Sequence, residues 1–233
     1  MEWDNSGMQV GDTGRDIKSV LLTTDVTPEV VDEAIMLGCQ LIISHHPLLF
    51  RSLRQVCGQT PQACMVATAI KHDIAIYSAH TSLDVASDGI NTRLAEKLLL
   101  TDCRPLMENG LGVIGRLREP MRSDDFLRLV RDTLSATYVR YTRPVSDQVQ
   151  TVALCGGSGA EFISDAVAQG ADVYLTADCK YHEFQDAEGR ICLIDVDHWV
   201  SEHHAAEIFS DILAPLPLVV HTSQQDKTPI NIL

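Results

Sequence analysis

The sequence predicts an α/β protein built on a largely parallel sheet covered by helices. Short β-branched apolar runs alternate along the chain with stretches of helical periodicity. Two of the runs, "QLIISHH" and "IAIYSAH", are apolar nearly throughout, the pattern of strands buried on both faces. The 233 residues, 45% hydrophobic and 21% charged, suffice for one large domain or two small ones sharing a core.

The elements follow in order. "SVLLTTDV" (19–26) reads as a strand and "TPEVVDEAIMLG" (27–38) as a helix, with Thr27 as N-cap, Pro28 at the first helical position and Gly38 closing the far end. A strand at 40–46, a helix at 60–73 and a strand at 74–80 come next. Residues 88–100 read as a helix with Asp88 as N-cap. The middle is less regular: a strand at 110–117, a helix at 123–136 capped by Ser123, and a strand at 138–142. A second alternating block has strands at 150–159, 172–178 and 190–196, with a helix at 160–169 and a helical stretch before the last strand. A helix at 201–213 and a short "PLVVHT" strand follow, and the tail "SQQDKTPINIL" carries no local signal. No stretch rich in Pro, Gly or Ser separates the halves, so they are expected to pack as one body.

Composition excludes several classes of function. Eighteen Lys and Arg against 32 Asp and Glu leave a net charge of −14, which argues against a basic face for nucleic-acid phosphates. No apolar run reaches the length of a membrane span. The start, "MEWDNSGMQVG", lacks the basic and apolar regions of a signal peptide, so a cytoplasmic protein is expected. The seven cysteines (Cys39, Cys57, Cys64, Cys103, Cys155, Cys179 and Cys192) are scattered without a CxxC pair. They are expected as small hydrophobes in a reducing compartment rather than as zinc ligands.

Three histidine–carboxylate clusters fall at the carboxyl ends of predicted strands, where such sheets place their sites. They are His45-His46, His80 with Asp84, and "DHWVSE", in which His198 and Glu202 share one helix face at i and i+4. A lone His–Glu pair at this spacing is more often a surface salt bridge, and His72 and His221 are read as hydrogen-bonded or surface residues. Recurrence at three strand ends is what points to metal. Imidazole with carboxylate suits zinc, manganese, iron or nickel better than calcium or magnesium. Five such ligands are too many for one catalytic ion and reasonable for two close ones. "CGGSG" leaves two readings open, a tight strand-to-helix turn or a backbone cradle for phosphate, and matches neither the P-loop nor the dinucleotide fingerprint.

Taken together, "WDNSGMQVG", "ISHHPLLF", "YSAHTSLD…GIN", "GGSG", "GADVYLTADCKYHE" and "DHWVSE" resemble the dinuclear-metal family called GTP cyclohydrolase 1 type 2-like, or Nif3-like. The resemblance runs in order from residue 3 to about residue 213. It implies two interlocked α/β lobes of the Nif3-like fold: about 1–105 plus the C-terminal helix, and about 106–200, with no inserted middle domain. It also implies a toroidal homo-hexamer and two divalent metal ions per chain (zinc, manganese, iron or nickel) facing the interior. The metal ligands fall on His45, His46, Asp84, His198 and Glu202, the five that spacing selects. His80 is expected close to the metals, either behind their ligands or facing substrate, and Asp178 and His182 resemble a motif that lines the same cavity; these three are the catalytic candidates.

The implied activity is that of a hydrolase for a nucleotide-like small molecule. In the family's reaction the GTP imidazole ring opens at C8 and formate leaves. A phosphoester hydrolase would use the same metal pair. The alternative is a non-catalytic metal-binding hexameric scaffold or regulatory protein. Two positions depart from the family pattern. Ala177 stands where glycine is common, and Asp197 replaces the glycine before His198, which is expected to add a carboxylate beside the site.

Overall fold

The computed structural model describes residues 3–58 and 60–233. The chain divides into two compact units, residues 1–83 with 203–227, and residues 84–202 with 228–233.

The first unit begins with β1 (Gly7–Val10), β2 (Ser19–Thr23), α1 (Pro28–Met36), β3 (Leu41–Ser44), α2 (Pro61–Lys71), β4 (Ala75–Ser78) and the short α3 (Thr81–Asp84). Helix α1 starts as its sequence dictates. The Thr27 hydroxyl accepts from the Val30 amide at 3.3 Å, and Pro28 fills the first helical position, where its missing N–H costs nothing. Gly38, at φ +65°, lets the chain turn directly into β3. Strands β2, β3 and β4 are parallel, and their registers (Thr23 opposite Ser44, Ser44 opposite Ser78) bring their carboxyl ends level. Leu21, Ile42 and Ile76 are fully buried against Val30 and Met65 of the covering helices.

The second unit runs through α4 (Ile90–Lys97), β5 (Leu100–Pro105), β6 (Val113–Arg122), α5 (Ser123–Thr133), β7 (Arg140–Tyr141) and β8 (Gln148–Ser158). A 3-10 turn (Ala160–Phe162) follows, then α6 (Ile163–Ala168), β9 (Val173–Ala177), α7 (Tyr181–Ala187), β10 (Cys192–Val196) and α8 (His198–Glu202). The sheet order is β5-β6-β8-β9-β10-β7, with β8, β9 and β10 parallel and the other pairings antiparallel. Its core alternates with the pleat. Leu154, Val173, Leu175 and Ile194 face Phe126 and Val130, while Ala153, Tyr174 and Leu193 belong with Ile163 on the other face. The chain then returns to the first unit with α9 (Ala205–Leu213) and β11 (Val219–Thr222), completing a sheet of order β1-β4-β3-β2-β11. Only β1 is antiparallel there.

Several boundaries differ from the sequence reading. The second unit starts at Asp84 rather than near 105, because Leu94, Ala95, Leu98 and Leu100 are buried in the core of the second sheet. The helix expected over 88–100 stops at Lys97, since Leu99 adopts φ +61°, and Leu100 opens an edge strand that the reading did not contain. Asp88 does not cap it; Gly89 holds that position and Asp88 pairs instead with Arg93 Nε at 2.8 Å. Ser123 lies inside its helix rather than capping it, and its hydroxyl donates to the Ser146 carbonyl at 2.6 Å. The strand expected over 138–142 keeps only Arg140 and Tyr141. Among the described residues no helix is long and apolar enough to cross a membrane. Cys39, Cys155, Cys179 and Cys192 are buried as expected, whereas Cys57, Cys64 and Cys103 are exposed.

Candidate metal centre

In the first unit the level ends of β2, β3 and β4 decide what stands beyond them. The sheet ladder continues one step past β3: the His45 amide donates to the Thr23 carbonyl at 3.2 Å and the His46 amide to the Thr24 carbonyl at 2.9 Å. The Ser44 and Ser78 hydroxyls, 2.8 Å apart, both reach the His46 carbonyl and clamp the corner. His45, His46 and His80 therefore converge, with ring nitrogens within 4.8 Å of one another.

Each ring is held by its Nδ1. That of His45, fully buried, meets the Ala79 carbonyl at 3.0 Å; that of His46 meets Asp25 Oδ1 at 2.9 Å; that of His80 meets Asp4 Oδ1 at 2.6 Å. A carbonyl or an ionised carboxylate only accepts, so Nδ1 carries the proton in each case and Nε2 is the basic nitrogen. Burial alone would raise the Asp4 pKa, but hydrogen bonds from Ser6, Thr81 and His80 hold the carboxyl well below its usual range. Burial, helped by the neighbouring imidazoles of His45 and His46, pushes the His80 pKa down against the pull of Asp4. His80 is thus a neutral ring donating to an ionised carboxylate.

In the second unit α8 is a single turn, and His198 and Glu202 face each other across it with Nε2 and Oε2 2.9 Å apart. Nδ1 of His198 meets Asp178 Oδ2 at 2.7 Å. Asp178 reaches it from the corner after β9, where its own backbone stands at φ +58°. Burial would lower the His198 pKa, but the two flanking carboxylates outweigh it and raise the value to about 11. The hydrogen bond from His198 in turn draws Asp178 below its ordinary value against the effect of burial. The two carboxylates around His198 favour positive charge there, and a metal ion would compete with the proton for the same groups.

The glycines of "CGGSG" make this possible. They end β8, and the turn is of the tight kind rather than a phosphate cradle: the amides of Gly156, Gly157 and Gly159 are already bonded to Asn91 Oδ1, Ser201 Oγ and Thr176 Oγ1. Gly157, at φ +64°, leaves room for Glu202 and His198 that any Cβ would fill. Asn91 also holds the Asp84 carbonyl at 3.0 Å. Burial pushes the Cys155 thiol far up, and the charges of Asp84 and Glu202 add to it, so both carboxylates act on one buried neighbourhood.

The structure thus brings together His45, His46 and His80 in one unit, and His198, Glu202 and Asp178 in the other. His182 is not among them: it is exposed on α7, and its Nδ1 meets Gln185 on the same helix at 3.3 Å. Asp197 caps α8 by accepting from the Val200 amide at 3.3 Å, so its replacement of glycine supports the helix. Sequence reasoning missed Asp4 and Asp25, which orient two of the histidines from 76 and 21 residues away. The donor set fits a transition metal. Histidines with Nδ1 on an oxygen acceptor present Nε2 in the manner of metal-bound imidazole, and these His, Glu and Asp groups can bind such an ion.

The family model Duf34/NIF3 (NGG1p interacting factor 3) matches residues 1–229. A GTP cyclohydrolase 1 type 2 homolog of Clostridium perfringens is 35% identical over 207 residues, covering 86% of this chain and 79% of the relative. One from Streptococcus pneumoniae is also 35% identical, over 86% and 78% of the two chains. A Bacillus cereus protein related to NIF3 superposes with a TM-score of 0.90 at 26% identity, covering 100% of this chain and 94% of the other. A hypothetical protein of Staphylococcus aureus does so with a TM-score of 0.92 at 27% identity, over 100% and 93%.

Proposed function

The chain belongs to the Duf34/NIF3 family, and on that premise we propose that it is a dinuclear-metal-dependent hydrolase acting on a small molecule of the nucleotide class. The observation that carries the reading is the shared posture of His45, His46 and His198: each is fixed at Nδ1 by an oxygen acceptor, which leaves Nε2 as the ligand atom. With Asp84 and Glu202 they form the ligand set for two divalent ions. The relatives named GTP cyclohydrolase 1 type 2 homolog support the nucleotide class.

Metal ions bound there supply Lewis acidity and make water nucleophilic near neutral pH. The protein's own contribution is positional and protonic. Asp25 and Asp178 hold the rings of His46 and His198. His80 takes up a proton at Nε2, and the ionised Asp4 behind it stabilises the imidazolium that forms. Trp3 and Phe50 stand edge-on to His80, with ring centroids 6.4 and 6.0 Å from it, and give that side an apolar wall. His182 has no part in this scheme. The proposal includes the homo-hexameric ring.

The test is turnover of nucleoside triphosphates and phosphodiesters by metal-loaded protein beside Asp84→Ala. The wild type should turn over at least one of them, and the variant should lose about a hundredfold or more while keeping its fold and oligomeric state. Absence of turnover across the panel with metal bound would favour the scaffold.

A further inference from the structure

The tail "SQQDKTPINIL" forms no helix or strand. Its first residues are nonetheless tied into the first unit. The Ser223 amide donates to the Leu22 carbonyl at 2.9 Å, the Ser223 hydroxyl to the buried Glu33 at 2.5 Å, and the Gln224 amide to the same carboxylate at 3.0 Å. This carries Asp226 to the end of β2, where Oδ2 accepts the amide of Thr24 at 2.6 Å. Thr24 is fully buried, so its amide needs an acceptor in the protein.

Thr24 is the hub of the His46 corner. Its carbonyl takes the His46 amide, and the next residue, Asp25, holds the His46 ring. The Thr23 hydroxyl pins the Asp25 carbonyl at 2.8 Å. Backbone and ring of one histidine therefore both depend on the stretch around Thr24, a residue whose N–H is held from the tail. The tail repeats the device in the second unit: the Thr228 hydroxyl donates to Asp197 Oδ2 at 2.8 Å, while Asp197 Oδ1 caps the helix bearing His198 and Glu202.

We propose that the C-terminal segment 223–228 positions the metal ligands, Asp226 by fixing Thr24, and with it the neighbouring Asp25, behind His46 and Thr228 by fixing the Asp197 cap of α8. That these histidines bind metal rests on the functional reading above; that the tail sets their posture does not.

The experiment separates the two. In metal-free full-length protein, imidazole nitrogen NMR reads the tautomer of His46, and cobalt(II) titration followed by its visible spectrum reads affinity and coordination geometry. Asp226→Ala should release His46 from the Nδ1–H form to a mixture and weaken cobalt binding about tenfold or more. Asp226→Asn keeps an oxygen that accepts the Thr24 amide, and should stay within about threefold of wild type. Thr228→Val leaves Thr24 untouched. It should loosen the His198 side, altering the cobalt spectrum with the His46 signal unchanged, and it serves if Asp226→Ala does not fold. A wild-type His46 tautomer in folded Asp226→Ala, or a wild-type spectrum and affinity in Thr228→Val, would overturn the proposal. A tautomer change in Asp226→Ala beside a wild type that takes up no cobalt would uphold the positioning role and defeat the functional reading.

Discussion

Gly157 and Glu202 are packed so closely that the position admits no side chain. A Cβ on Gly157 would collide with Oε1 of Glu202 and lie 3.0 Å from its Cδ and 3.1 Å from Nε2 of His198. The backbone at φ +64° and the geometry of these two side chains are thus one requirement rather than two.

Gly157→Ala should therefore act on the centre itself. The left-handed backbone costs about 1–2 kcal/mol for any L-residue, and Glu202 must also move. Gly170 provides the comparison: it stands at φ +76°, and a methyl group added there would meet nothing within 4 Å. Gly170→Ala should cost only the backbone strain, a few degrees in Tm, and keep its metal. Gly157→Ala should lose more Tm and lose metal, as read by melting and by metal content together.

The charge on His198 predicts the pH dependence of the metal-free protein. Its pKa is raised from 6.5 to about 11 by Asp178 and Glu202 acting against burial. A raised pKa means that the stabilisation is complete below the unfolded value and is lost as pH rises through the folded one. The metal-free protein should lose Tm between about pH 6.5 and about pH 11. Asp178→Asn should show less of that alkaline loss, and metal uptake near neutral pH should release protons, measurable in weakly buffered solution.

Tyr174 gives a test of the turn rather than of the ligands. Fully buried in the second sheet, it donates from its hydroxyl to the Gly159 carbonyl at 2.7 Å, just beyond the two glycines beside Glu202. Tyr174→Phe removes that bond and leaves a buried carbonyl short of one donor, at about 1–2 kcal/mol. Chemical denaturation should show that loss, with metal content unchanged.

The histidine–carboxylate clusters were legible because their members are adjacent in sequence or one helical turn apart. His45-His46 and the His198–Glu202 pair carry their own spacing, and α1 announces itself through Thr27 and Pro28. The orienting groups were not legible, since Asp4 and Asp226 act across 76 and 202 residues and no local pattern marks them. Strand β5 was hidden for a different reason. Only Leu100 of its six residues is buried, so an edge strand carries no apolar alternation to read. The end of α4 was missed because apolar Leu99 continues the helical pattern while its backbone turns left-handed.

The central claim is that the five ligands hold metal, and metal content per chain tests it most directly. Protein purified without chelators should carry about two transition-metal ions per wild-type chain, falling in Asp84→Ala with the fold retained. A wild type that stays empty after anaerobic loading with zinc, manganese and iron would contradict it.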